Sequence, residues 1–333
     1  MTADTIQWGI VAPGEIARKF ARDLRVANGG NLRAVAGRDL ARARAFADEF
    51  GAEKATADLS ELAADDSVDI VYIASPHHAH FEIAKFLLEA GKPVLCEKPL
   101  TLNAGQAREL IGISRANNVF LMEAMWSRCL PVYDRIREWL DDGRIGEPRF
   151  VTSNFCTQPP YDPTNRWFNP DLAGGGLLDL GVYNLAISQL VMGRKPDKVA
   201  AVARFSPSGV DELLSASLHY ENGGIAQFTC GMTTHCENPL IIGGEKGFIR
   251  VPSLFINAEE AFLTIGDTTE SARGPLRGEG FEFEIEEAMR CLRAGEIESP
   301  KMPHADTLAT MEVMDEIRAQ IGLRYPGEIT IPG

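Results

Sequence analysis

The chain has 333 residues, too many for one ordinary core and suited to two domains. With 45% hydrophobic residues it has the composition of a packed globular protein. Its net charge of −14 argues against nucleic acid or an anionic membrane as partner, so any bound anion must be held by local groups.

The start, "MTADTIQWGIV", has neither a basic n-region nor a long apolar stretch, so no signal peptide is expected. The first third alternates short apolar runs with helical patterns. Strands are expected at Ile6 to Val11, Leu32 to Ala36, Ile70 to Ser75, Val94 to Cys96 and Val119 to Met122. Helices are expected at Glu15 to Leu24, Ala41 to Phe50, Phe81 to Ala90 and Ala104 to Ala116. That alternation predicts a doubly wound parallel sheet with helices on both faces, an α/β domain over residues 1–125.

Past about Arg149 the runs lengthen and alternate with period two, at 149–156, 198–205, 213–220 and 225–232. Asn222-Gly223 marks a hairpin, and "GGEKGFIRV" marks another turn and strand. Residues 126–333 are therefore expected to form an α+β domain on an open, mainly antiparallel sheet. The apolar stretch Leu177 to Met192 carries Asp179, Asn184, Ser188 and Gln189, which fits a buried helix better than a membrane span. Six cysteines at 96, 129, 156, 230, 236 and 291 contain no CxxC pair, as expected for reduced thiols in a cytoplasmic protein.

Between the first strand and helix, "GIVAPGEIA" meets the dinucleotide fingerprint as Ala12-x-Gly14-x-x-Ala17, with alanine at the first glycine position. Gly14 lets a pyrophosphate approach the backbone, and the helix start offers free N–H groups, so Ala12, Pro13, Gly14, Glu15 and Ile16 are assigned to a cofactor. A plain βα turn is the alternative. At the end of the second strand, Gly37 and Arg38 stand where an NAD site would place a carboxylate. Gly37 removes a group that would repel a 2′-phosphate and Arg38 can grip one, which favours NADP over NAD. A solvated arginine is the plainer reading, and Asp39 can cap the next helix.

"SPHHAH" and "CEKP" both follow strands, at the sheet edge where ligands bind. Ser75, Pro76, His77 and His80 are counted with the cofactor edge, although His80 also reads as a packed structural histidine. The histidines lack carboxylate or cysteine ligands at matching spacing, so no metal is expected. Lys98 is costly near an interior unless its charge is used.

In the second half, Asp179 and Tyr183 lie i, i+4 on a helix opened by Gly174 to Gly176, and so project from one face. A buried structural hydrogen bond is one explanation. The functional one makes Tyr183 the proton donor or acceptor, with Lys98 lowering its pKa and Asp179 bonding the substrate or the lysine. Trp126, Arg128, Arg166 and Trp167 are candidate sugar contacts; ordinary loop packing is the alternative for each.

"CEKP", "SPHHAH" and "GGGLLDLGVY" together resemble the Gfo/Idh/MocA family of glucose–fructose oxidoreductase-like dehydrogenases, over nearly the whole chain. "LMEAMWSRCLPVY" and the tail from Cys291 to Pro326 are most similar to its group of dimeric dihydrodiol dehydrogenases and NADP-dependent D-xylose 1-dehydrogenases. The resemblance implies a Rossmann domain and a cis Lys98–Pro99 bond, with Glu97 and Lys98 beside the nicotinamide ribose. It also implies a homodimer or dimer of dimers through the C-terminal sheet. Hydride transfer between NADP and a sugar, polyol or trans-dihydrodiol is the implied reaction. Two alternatives stay open: a sugar–sugar oxidoreductase with tightly bound NADP, and a non-catalytic regulator that binds NADP or sugar.

Overall fold

In a computed structural model that describes residues 5–193 and 195–326, the expected βα alternation forms a six-stranded sheet. In chain order its elements are β1 (Ile6–Val11), α1 (Glu15–Leu24), β2 (Gly30–Ala36), α2 (Leu40–Phe50), β3 (Lys54–Thr56) and α3 (Leu59–Ala63). Then come β4 (Ile70–Ile73), α4 (His80–Glu89), β5 (Val94–Glu97), α5 (Ala104–Asn117) and β6 (Leu121–Ala124). Every pairing is parallel and the order is β3-β2-β1-β4-β5-β6, the doubly wound arrangement with its switch point between β1 and β4. β6 begins two residues later than its apolar run suggests, because α5 runs on to Asn117 and Asn118 then takes a left-handed turn, φ 54°.

A column of aromatic rings fills this sheet's core. Trp8 on β1 meets Phe20 on α1 edge-on at 5.2 Å, and Phe20 stacks on Tyr72 of β4 at 3.7 Å. All three are fully buried. At about 1.5–3 kcal/mol per large apolar side chain, they bind α1 firmly to the strands whose ends carry the site.

The second sheet has eight strands. It follows α6 (Pro131–Asp141) with β7 (Pro148–Cys156), α7 (Val182–Met192), β8 (Lys198–Phe205), β9 (Asp211–His219) and β10 (Ile225–Gly231). β11 (Leu240–Gly244), β12 (Phe248–Val251), β13 (Glu260–Ile265) and β14 (Thr268–Arg273) complete it. The order is β14-β13-β12-β11-β7-β10-β9-β8, antiparallel except where β7 runs parallel to β10. α7 packs on one face: Asn184 donates to Ser153 Oγ of β7 at 2.8 Å. The apolar segment Pro170–Met192 is long enough to cross a membrane, yet it is buried almost throughout within its own unit.

Two helices end the chain, α8 (Glu282–Ala294) and α9 (His304–Ile321). Contacts divide the chain into two units. The first takes residues up to Thr101 with Gln106–Trp126 and Leu276–His304. The second takes Leu102–Gly105, Ser127–Pro275 and the chain from Ala305 onward. Leu276–His304, with α8, thus packs with the first unit, whereas the expected division counts it with residues 126–333.

Candidate functional site

In the first unit, the β1–α1 loop is built by a tight turn in which the Gly14 N–H donates to Ala12 O at 2.8 Å. Ala12 itself has φ 66°. Such a left-handed conformation explains why glycine is usual there, and alanine holds it at a cost of about 1 kcal/mol. Gly14 caps α1 without any side-chain hydrogen bond, and a Cβ on it would find nothing nearer than 3.9 Å. Open space before uncapped N–H groups suits a pyrophosphate, so these residues fit a dinucleotide.

The end of β2 leaves no room for a side chain at position 37. A Cβ on Gly37 would lie 2.8 Å from Cδ of Pro13. Asp39 is committed to capping α2, accepting from the N–H of Ala41 at 2.9 Å and Arg42 at 3.2 Å. Arg38 is exposed and close enough to His78 that, after burial, its charge is the next cause lowering that imidazole's pKa. His78, passed over in the sequence, is therefore a neighbour of the expected 2′-phosphate grip.

At the ends of β4 and β5, His80 is fully buried and ties two loops together. Its Nδ1 faces the Pro99 carbonyl and its Nε2 the Ser75 carbonyl, each at 2.8 Å. Only an imidazolium could donate to both, but burial pushes the pKa down to about 4. The neutral ring then donates to one of the two carbonyls and packs against the other. Ser75 and His77 are also buried, Pro76 precedes the turn that holds His77, and Lys98–Pro99 is cis. Glu97 accepts from the Tyr72 hydroxyl in a short hydrogen bond and from the Lys98 backbone N–H at 3.2 Å. It is therefore a buried anchor for the end of β5, while Lys98 is half-buried. On α8, burial, with Glu97 and Asp23 nearby, pushes the Glu284 carboxyl well up. Trp126 lies buried, stacked on Phe281 at 5.2 Å.

In the second unit, the segment before α7 is not a plain α-helix. Leu177–Gly181 forms a π-helical turn that carries Asp179, and Tyr183 follows in the first turn of α7. The i, i+4 spacing therefore spans a widened turn and does not set both side chains at the azimuth an α-helix would give. Both are buried. Arg166 Nη1 donates to Asp179 Oδ1 at 3.3 Å, and its guanidinium lies 4.8 Å over the Trp167 ring. Gly174 makes this delivery possible: a Cβ there would lie 2.7 Å from the carbonyl oxygens of both Arg166 and Trp167. The Tyr183 ring meets Phe155 of β7 edge-on at 5.6 Å, and Phe155 in turn meets Phe255 at 6.3 Å. The sequence reading missed both phenylalanines, since one aromatic in an alternating strand carries no sign of what it faces. Arg128 is buried on an ion pair with Asp306 at 2.7 Å. Among the described residues, no group of three His, Cys, Asp or Glu could hold a metal ion.

Comparison with known proteins follows the same division. Residues 6–125 match the sequence model described as "oxidoreductase family, NAD-binding Rossmann fold", and residues 133–250 match the GFO/IDH/MocA C-terminal domain. Trans-1,2-dihydrobenzene-1,2-diol dehydrogenase of Mus musculus is 36% identical, covering 96% of this chain and 98% of that enzyme. The crystal structure of a 3-ketoreductase from Actinomadura kijaniata, in complex with NADP and TDP-benzene, is 28% identical with a TM-score of 0.84. It covers 96% of this chain and 98% of that one. An aldose–aldose oxidoreductase from Caulobacter crescentus, complexed with glycerol, shares the fold at a TM-score of 0.87 and 21% identity, over 95% of this chain and 97% of its own.

Fold, dinucleotide loop and matches define an NAD(P)-dependent oxidoreductase that acts on hydroxyl-bearing carbon. The chain belongs to the GFO/IDH/MocA family.

Proposed function

We propose that the protein is an NADP-dependent dehydrogenase that oxidises a hydroxyl of a six-membered ring carrying neighbouring hydroxyls, as in a trans-dihydrodiol or an aldopyranose. The observation that carries this reading is Tyr183, a buried phenol edge-on to Phe155, on the turn whose Asp179 is tied to Arg166. Flat apolar surface beside a titratable hydroxyl suits a ring, and a carboxylate with a guanidinium suits its hydroxyls. The names of the relatives support the same class. Gly37 closed off by Pro13, Asp39 turned into a cap and Arg38 exposed support NADP over NAD.

When bound, NADP supplies the hydride-accepting ring. Tyr183 takes the hydroxyl proton during oxidation and returns it during reduction. The Lys98 ammonium orients the substrate oxygen, and Asp179 accepts from a substrate hydroxyl. Glu97 and His80 hold the Lys98 loop in place. The open face of the second sheet joins two copies as a homodimer.

The test follows absorbance at 340 nm with NADP or NAD against D-xylose, D-glucose and a trans-dihydrodiol. Signal with NADP and one of these establishes the reading. Tyr183→Phe is then expected to cut kcat by roughly 10²–10⁴-fold with NADP binding retained. Unchanged turnover in that variant, or a wild type silent with every pair, would overturn it.

A further inference from the structure

The three glycines Gly174–Gly176 close round a single buried carboxylate. Asp211, the first residue of β9, is fully buried, and its Oδ2 accepts the backbone N–H of Leu177 at 2.6 Å, where the π turn begins. A Cβ on Gly175, where φ is +124°, would lie 2.2 Å from Asp211 Oδ1 and 3.2 Å from the Tyr325 hydroxyl. On Gly176 it would lie 3.4 Å from Oδ2. The glycines are there because the backbone must touch this side chain. Asp211 Oδ1 has no hydrogen-bond partner among the described residues.

The groups that face Asp211 come from two further elements. Arg318 of α9 favours its charge, but Arg318 also bonds Asp315 at 2.7 Å and lies 5.4 Å over the Tyr325 ring. Cys230 of β10 is buried beside it. The carboxylate therefore rests mainly on a backbone N–H at a helix start, where negative charge is favoured.

We infer that Asp211 is a positioning residue whose charge state sets the seat of the helix start and, through it, the orientation of Asp179 and Tyr183. This rests on the function proposed above for those two residues. As a carboxylate, Asp211 holds the Leu177 N–H with a charge-assisted bond; protonated, it holds it more weakly. Burial lifts its pKa from 3.8 to about 7, so the exchange falls at neutral pH. The native pKa lies above the unfolded one, so the folded chain binds this proton more tightly. Asp211 therefore favours folding below about pH 4, and that advantage is lost as pH rises to 7. Above 7, the charged form gives a tighter seat at some cost in stability.

The test compares wild type with Asp211→Asn and Asp211→Ala by hydrogen exchange of residues 174–183, corrected for intrinsic rates, from about pH 5 to 9. kcat and NADP affinity are measured across the same range. The wild type is expected to show a step in protection through a midpoint near 7, with kcat changing through the same midpoint. Asp211→Asn should flatten both and lower kcat about tenfold at high pH, with NADP affinity unchanged. Wild-type protection without that step, or an Asn variant that keeps it, would overturn the inference. Should both variants fail to fold, the wild-type exchange profile alone decides. A wild type with the step and no turnover on any substrate would refute the proposed function and leave the Asp211 seat standing.

Discussion

Arg38 stands exposed at the end of β2, next to an aspartate already committed to a helix cap. A guanidinium bonded to a ribose 2′-phosphate is worth about 1.5–3 kcal/mol. Arg38→Ala should therefore raise the Kd for NADP by roughly 10- to 100-fold and that for NAD by less than about threefold. Titrating both cofactors against the variant checks this, and equal losses would remove Arg38 from the phosphate. At this scale the sequence drew attention to positions where a residue type is costly or unusual in its place, as with Lys98 after a buried strand or Gly37 after β2. Asp211 was not legible. Its partner is a backbone N–H 34 positions away in sequence, and no side-chain pattern records such a bond.

Among elements, the opening of α7 is tightly constrained. Gly175 combines a left-handed φ of +124° with a Cβ position inside van der Waals contact of Asp211. Gly175→Ala is expected to cost about 2–5 kcal/mol, from backbone strain and overpacking together. Denaturant unfolding measures it; a loss under about 0.5 kcal/mol would show that the turn does not close on the carboxylate as described. Elements such as α1 and β7–β10 were readable because period and length agree along them, whereas the helices α6, α8 and α9 were not assigned, although α9 has 18 residues. β3 was missed because it has only three residues, and β14 because "TTESAR" carries no apolar alternation. The π turn was hidden for a different reason: i, i+4 spacing reads as one face whether the local turn has 3.6 residues or more.

For the whole molecule, the notable surface is the face of the second sheet away from α7. Register puts Ala200, Ser217, Gln227 and Thr152 in one cross-strand row and Val202, Ser215, Thr229 and Asn154 in the next. Eight neighbouring positions carry no charge in a chain that is 24% charged, and Val202 is 71% exposed. Small side chains on a flat sheet suit another sheet packed face to face, about 10 Å away. Light scattering on the purified protein should give twice the chain mass of 36.4 kDa or a multiple of that. Val202→Arg should shift it toward the monomer, because the partner face has nothing to pair with the charge. A wild-type monomer at micromolar concentration would refute the homodimer.

A Cβ on Gly37 would lie 2.8 Å from Cδ of Pro13, so a side chain at 37 has to reckon with the proline across the loop. An acidic residue at 37, the substitution that would repel a 2′-phosphate, has no space until Pro13 has gone. Removing Pro13 alone frees the loop without supplying the carboxylate. The effect of a side chain at 37 therefore depends on the residue at 13. An engineer who wants a carboxylate at 37 has to change both residues together.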